Sequence, residues 1–168
     1  MTRRSQSAQK QYQSTMDVLH TMPHSFAMGC SNGKSPDKRE LLSVVVDDDE
    51  SVRESLPDLL RVFGFAARTF SSAEEFLSAD CVDETSCLIL DVAMPGMSGP
   101  ELQQELKRRG KEIPIIFITA RRDEAIRAQV LKQGAAGFLL KPFSDAVLLA
   151  AIQTALLPIE GYSGGGTQ

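Results

Sequence analysis

Between residues 41 and 157 the chain alternates short apolar runs with longer stretches whose apolar residues recur every three or four positions. LLSVVV at 41–46 is β-branched and bounded by acids, which predicts a strand. Val52, Leu56, Leu59, Leu60 and Phe63 then share one face of a helix that Gly64 closes. FAARTF at 65–70 predicts a second strand. SSAEEFL predicts a short second helix opened by a capping box, Ser71 with Glu74 or Ser72 with Glu75. A polar loop over 79–86 leads to a third strand, CLIL at 87–90. The third helix takes Pro100 as its first residue and stops at Gly110. IPIIFI at 113–118 is the fourth strand, 123–133 the fourth helix, ended by Gly134, and GFLL at 137–140 the fifth strand. Ser144 N-caps a last helix running to about Leu157. Pro57 falls inside the first helix, where it should remove one hydrogen bond and bend the axis, early enough to be tolerated.

Five strand–helix units with near-continuous apolar strands predict an α/β fold, a five-stranded, doubly wound parallel sheet with helices on both faces. Right-handed crossovers bring the carboxyl ends of all the strands to one edge, and in open sheets of this kind the site lies there. The domain expected over 41–157 is flanked by residues 1–40, which are rich in Ser, Gln, Thr, Lys and Arg, show no sustained period and read as a disordered extension. Residues 158–168 read as a flexible tail with no output domain. Early methionines at 16, 22 and 28 leave room for a later start of translation.

Composition narrows the class. The 168 residues are 42% hydrophobic and 24% charged, enough for one domain with a sizeable core. Net charge is -4, unevenly spread: residues 1–40 hold six basic against three acidic residues, and 41–168 twelve against nineteen. An acidic body invites cations, so no direct nucleic-acid binding is expected. Cys30, Cys81 and Cys87 are odd in number and form no CxxC pair, which suggests neither a disulfide framework nor a zinc site and fits a reducing cytoplasm. No apolar stretch reaches the roughly 18 residues of a membrane helix, and MTRRSQSAQK lacks the apolar core of a signal peptide.

The predicted edge carries the chemistry. Asp47, Asp48 and Asp49 follow the first strand, Asp91 the third, Thr119 the fourth and Lys141 the fifth. A lone carboxylate at the end of a buried strand is costly unless something meets it. Carboxylates crowded together raise one another's pKa unless a cation joins them. An oxygen-only donor set of this kind suits Mg²⁺, which takes one or two carboxylates, keeps waters and accepts phosphate oxygens. The constellation predicts a phosphoryl-transfer centre with Asp91 as nucleophile. Taken singly the features are ordinary: DDDE as a helix start, Asp before Met-Pro-Gly as a turn, Thr119 as a capping hydroxyl, Phe138 as plain core. Arg121 and Arg122 read as solvated, and His20 and His24 both lie in the extension.

DDDESVRESL, LILDVAMPGMSG, IFITA and GFLLKPF, in this order and on these elements, closely resemble the response-regulator receiver domain of two-component signalling, over residues 41–157. The likeness is greatest to receivers that precede a LuxR-type helix-turn-helix output domain, whereas eleven residues follow Leu157 here. The resemblance implies a flavodoxin-like sheet of order 2-1-3-4-5. It implies phosphorylation of Asp91 by the phospho-histidine of a sensor histidine kinase, and Mg²⁺ held by Asp47, Asp48, Asp91 and the backbone carbonyl of Ala93. Thr119 would bond the phosphoryl group, Lys141 would pair with it, the Lys141–Pro142 peptide would be cis, and Phe138 would be the aromatic switch.

Phosphorylation adds roughly -1.5 to -2 charges and three acceptor oxygens. Thr119 would be drawn inward, Phe138 would fill the space, and the surface of the fourth helix, fifth strand and fifth helix would change, offering a face for a homodimer or a downstream protein. The chain would be a signalling phosphoacceptor and not an enzyme. Two other readings fit the sequence less well. A haloacid-dehalogenase-type phosphatase, loosely suggested by Asp47–Ser51, needs a further acidic pair beyond the lysine, and only Asp145 and Glu160 follow. A phosphorylation-independent interaction module leaves five intact site residues without a purpose. Ala93 departs from the common pattern by offering no side chain to position a hydrolytic water, which predicts slow loss of the phosphoryl group.

Overall fold

The computed structural model describes residues 40–157; the expected tail over 158–168, and all of the expected extension except Glu40, lie outside them. In chain order the elements are β1 (Leu42–Val46), α1 (Glu50–Val62), β2 (Ala66–Phe70), α2 (Ala73–Leu77), a single 3-10 turn (Val82–Glu84), β3 (Thr85–Asp91), α3 (Gly99–Arg108), β4 (Ile115–Thr119), α4 (Glu124–Lys132), β5 (Gly137–Leu140) and α5 (Asp145–Leu156). All strands pair in parallel, in the order β2-β1-β3-β4-β5. This is the doubly wound, flavodoxin-like arrangement, with the topological switch between β1 and β3.

The three central strands are apolar on both sides because helices cover both faces. Val44, Val46, Leu88, Leu90 and Phe117 pack with Phe76 of α2, Leu102 and Leu106 of α3 and Val130 of α4. Val45, Ile89, Ile116 and Ile118 pack with Leu56 and Leu60 of α1 and Leu148 and Ile152 of α5. Cover is thinnest at the β5 edge, where every strand residue is half-buried and α4 buries only Val130.

Several boundaries differ from those the pattern predicts. β3 starts two residues before CLIL, because Thr85 and Ser86 are satisfied in the extended chain: Thr85 Oγ1 donates to the Cys81 carbonyl at 2.8 Å, and Ser86 Oγ accepts the Leu42 N–H at 3.2 Å. β4 starts at Ile115, beyond Pro114, and takes in Thr119 as its last residue. Pro100 is the second residue of α3, not the first. Gly99 takes the first position, and Ser98 with Glu101 forms a complete capping box. At α2 the box does not close. Ser72 caps the helix by accepting the Glu75 N–H at 3.1 Å, while Glu75 Oε2 reaches back to the backbone N–H and hydroxyl of Ser71, each at 2.8 Å. α1 runs uninterrupted through a buried Pro57.

Candidate functional site

The site is built where strands end. Asp47 directly follows β1, Asp91 closes β3, Thr119 closes β4 and Lys141 directly follows β5, so parallel pairing places all four along one edge. Asp47 is fully buried, Asp91 is 6% exposed and Asp48 is open to solvent. Carboxylate oxygens of Asp47, Asp48 and Asp91 lie within 4.8 Å of one another. Lys141 Nζ bridges two of them, donating to Asp47 Oδ2 at 2.6 Å and to Asp91 Oδ1 at 3.3 Å. The Lys141–Pro142 peptide is cis.

Asp49, the third acid of the run, turns away to another task. It is the N-cap of α1, where Oδ1 accepts the Ser51 N–H at 2.9 Å and the Ser51 hydroxyl at 2.7 Å. Those two bonds hold its carboxyl below the ordinary range. Asp47 Oδ1 accepts the Asp49 N–H at 2.9 Å, which aims the buried carboxylate back toward the cluster.

Burial, and after it the neighbouring Asp47 charge, push the Asp91 carboxyl from its ordinary 3.8 up to about 6; Lys141 opposes them only in part. For Lys141, burial works against the ammonium, but the bond to Asp47 and the charges of Asp91 and Asp47 prevail and raise its pKa. One ammonium does not balance three carboxylates. The remaining negative charge and the oxygen-only donors fit a hard divalent cation such as Mg²⁺.

Thr119 is buried, and its Oγ1 accepts the Arg121 N–H at 3.2 Å, so the hydroxyl is engaged with its own loop and not with Asp91. Phe138 pairs with Phe117 in the β4–β5 register and packs, half-buried, against the cluster containing Val130. Ala93 is exposed in the loop after β3.

Two supporting residues escape the sequence pattern. Arg53 Nη1 donates to the Asp47 carbonyl at 2.9 Å, holding the end of β1 from the first turns of α1. Glu74 Oε1 accepts the Met97 N–H at 2.9 Å, reaching the loop after β3 from α2. Each bonds a backbone group, and backbone groups leave no mark on residue spacing.

Comparison with known proteins agrees with this fold. The response regulator receiver domain family matches residues 44–153. The chain is 47% identical over 112 residues to the transcriptional regulatory protein TdiR of Thauera aromatica, covering 67% of this chain and 49% of TdiR. It is 44% identical over 112 residues to the transcriptional regulatory protein FixJ of Azorhizobium caulinodans, covering 67% of this chain and 53% of FixJ. The chain thus spans about half the length of these curated relatives. Among solved structures, FixJ-N superposes with a TM-score of 0.65 at 36% identity, over 73% of this chain and 98% of that one.

Proposed function

The chain belongs to the response regulator receiver family, and from that premise we propose that Asp91 accepts a phosphoryl group from a sensor histidine kinase and thereby switches the α4-β5-α5 face. The observation that carries this reading is the buried Asp91 at the end of β3, gathered with Asp47, Asp48 and Lys141. With its carboxyl near 6, Asp91 is ionised at neutral pH and available as a nucleophile. One carboxylate oxygen attacks phosphorus, the O–P bond of an acyl phosphate forms, and the donor's N–P bond breaks, its electron pair leaving with the imidazole.

Asp47, Asp48, Asp91 and the Ala93 carbonyl would hold Mg²⁺, which when bound supplies charge neutralisation for the phosphoryl oxygens. Lys141 already spans Asp47 and Asp91 and needs only to exchange a carboxylate for a phosphoryl oxygen. Thr119, whose oxygen accepts the Arg121 N–H, has its own O–H to donate to the new group, and Phe138 follows inward. The thin cover of the β5 edge makes that face the one most easily repacked. Leu131 on α4 and Val147 on α5, 39% and 47% exposed, supply apolar contacts for a homodimer or a downstream protein there.

The receiver occupies 41–157 in this reading, acts in the cytoplasm and works as a phosphoacceptor. No helix among the described residues is long and apolar enough to cross a membrane. The test is intact-protein mass after incubation with Mg²⁺ and a small-molecule phosphodonor. A gain of one phosphoryl group that requires both Mg²⁺ and Asp91, and is lost in Asp91→Asn, is expected. No gain in the parent chain refutes the reading.

A further inference from the structure

We propose that Glu74 is a positioning residue for phosphoryl transfer: its carboxylate fixes the loop that joins Asp91 to α3, and with it the carbonyl of Ala93. The inference rests on the reading of the Asp91 site given above. The loop is tied at both ends. The Val92 N–H donates to the Ile118 carbonyl at 3.0 Å, the Gly99 N–H donates to the Val92 carbonyl at 3.0 Å, and Ser98 is locked in the capping box of α3. Met94 anchors the inner side in the core.

On the outer side the restraint comes from Glu74, 23 residues earlier in the chain, whose Oε1 accepts the Met97 N–H at 2.9 Å. Gly96 adopts φ +76° directly beneath it, and a Cβ there would stand 2.7 Å from the same Oε1. The carboxylate therefore lies against bare backbone, and the absence of a side chain at 96 is what lets it approach. The left-handed turn and the reach of Glu74 are parts of one fitted contact.

An acid in the first turn of a helix is ordinarily explained by the macrodipole. Here Glu75 stands at the same end and is itself engaged with Ser71, while Glu74, equally exposed, is directed away from its own helix to the neighbouring loop. Its side chain contributes to no core cluster, so its removal loosens the loop without opening a cavity. Letting the loop wander leaves the Ala93 carbonyl, two residues after Asp91, without a fixed place and makes the productive arrangement at Asp91 rarer.

The full chain is compared with Glu74→Ala and Glu74→Gln. The readouts are the phosphorylation rate by intact mass against phosphodonor concentration, the Mg²⁺ dissociation constant by calorimetry, and the thermal midpoint. Glu74→Ala is expected to lower the maximal rate and weaken Mg²⁺ binding, each about fivefold, the factor that one hydrogen bond of ordinary net strength carries. Half-saturation by the donor stays close to that of the parent, and the thermal midpoint falls by no more than the few degrees that the loss of one such bond brings. Glu74→Gln, whose amide oxygen still accepts the Met97 N–H, stays within about twofold of the parent on the same scale.

A Glu74→Ala chain that is phosphorylated and binds Mg²⁺ like the parent overturns the inference alone. So does a Gln variant that loses as much as the Ala variant, since the charge and not the acceptor would then matter, and so does a loss of rate accompanied by a fall in the thermal midpoint well beyond the few degrees that one hydrogen bond accounts for. A parent chain that takes no phosphoryl group overturns the reading of the site and this inference with it.

Discussion

Replacing Asp91 by Asn should make the metal-free domain more stable at neutral pH. The carboxyl ionises near 3.8 in an unfolded chain and near 6 in the folded one, because folding buries it beside Asp47. Each pKa unit is worth about 1.36 kcal/mol, so the charged form of Asp91 costs the native state about 3 kcal/mol above pH 7. The sign follows from proton counting. Between pH 4 and 6 the folded state holds a proton that the unfolded state has released, so stability falls as pH rises through that window and stays low above it. Asparagine keeps the shape and an acceptor oxygen for Lys141 but carries no charge. Urea unfolding in the presence of a chelator should therefore show a gain approaching 3 kcal/mol at pH 7.5, a midpoint shift of about 1.5 M at a slope near 2 kcal/mol/M. At pH 5 the gain should shrink to about half. Saturating Mg²⁺ should raise the midpoint of the parent and do much less for Asp91→Asn. A loss of stability at pH 7.5, or a gain of equal size at pH 5, would refute the argument, the second because it would point to packing and not to charge.

Three further outcomes follow from the same geometry. Ala93→Asn, which adds a polar side chain two residues after the proposed phosphoacceptor, should shorten the lifetime of phospho-Asp91; a half-life equal to or longer than the parent's, followed by mass spectrometry, contradicts the role given to Ala93. Gly99→Ala should destabilise the domain by about 1–3 kcal/mol, the usual cost of overpacking, because its Cβ would fall 2.3 Å from the Asp91 carbonyl and 3.1 Å from the Phe117 ring, and denaturant melts measure the cost. Burial pushes the Cys87 thiol up to about 12, so at pH 8 a maleimide should leave Cys87 unmodified in the folded chain and label it after unfolding, as peptide mapping would show.

The strands and the site announced themselves through different signals. Apolar runs such as VVV at 44–46 and LIL at 88–90 read directly as central strands, since two-faced burial leaves no room for alternation, and parallel order then carries Asp47, Asp91, Thr119 and Lys141 to one edge. Residue type fails where a polar side chain is satisfied locally. Thr85 and Ser86 looked like loop and are strand because each finds a backbone partner. Among the three consecutive aspartates, composition does not separate Asp49, which caps α1, from Asp47 and Asp48, which face Asp91; only the turn of the chain after β1 does so. The supporting bonds of Arg53 and Glu74 leave no trace in the pattern for a related reason, since each answers a backbone group, six residues away for Arg53 and 23 for Glu74.

The same cluster that weakens the metal-free fold is what makes its edge responsive. A carboxylate satisfied by several donors would rest at a low pKa, bound so well that exchanging its partners would gain little. Asp91 is instead held in a buried, acidic setting by one ammonium at 3.3 Å that it shares with Asp47, whose own contact is shorter at 2.6 Å. A cation that enters relieves a tension of about 3 kcal/mol already present in the resting fold, whereas a phosphoryl group adds negative charge and so increases the demand for that cation. Thr119 can be recruited from a single 3.2 Å bond within its own loop. An entering cation thus draws on energy stored at the strand ends. In the proposed switch the thin cover over β5 sets where a response would emerge, because a half-buried strand and a helix with one buried residue oppose repacking least.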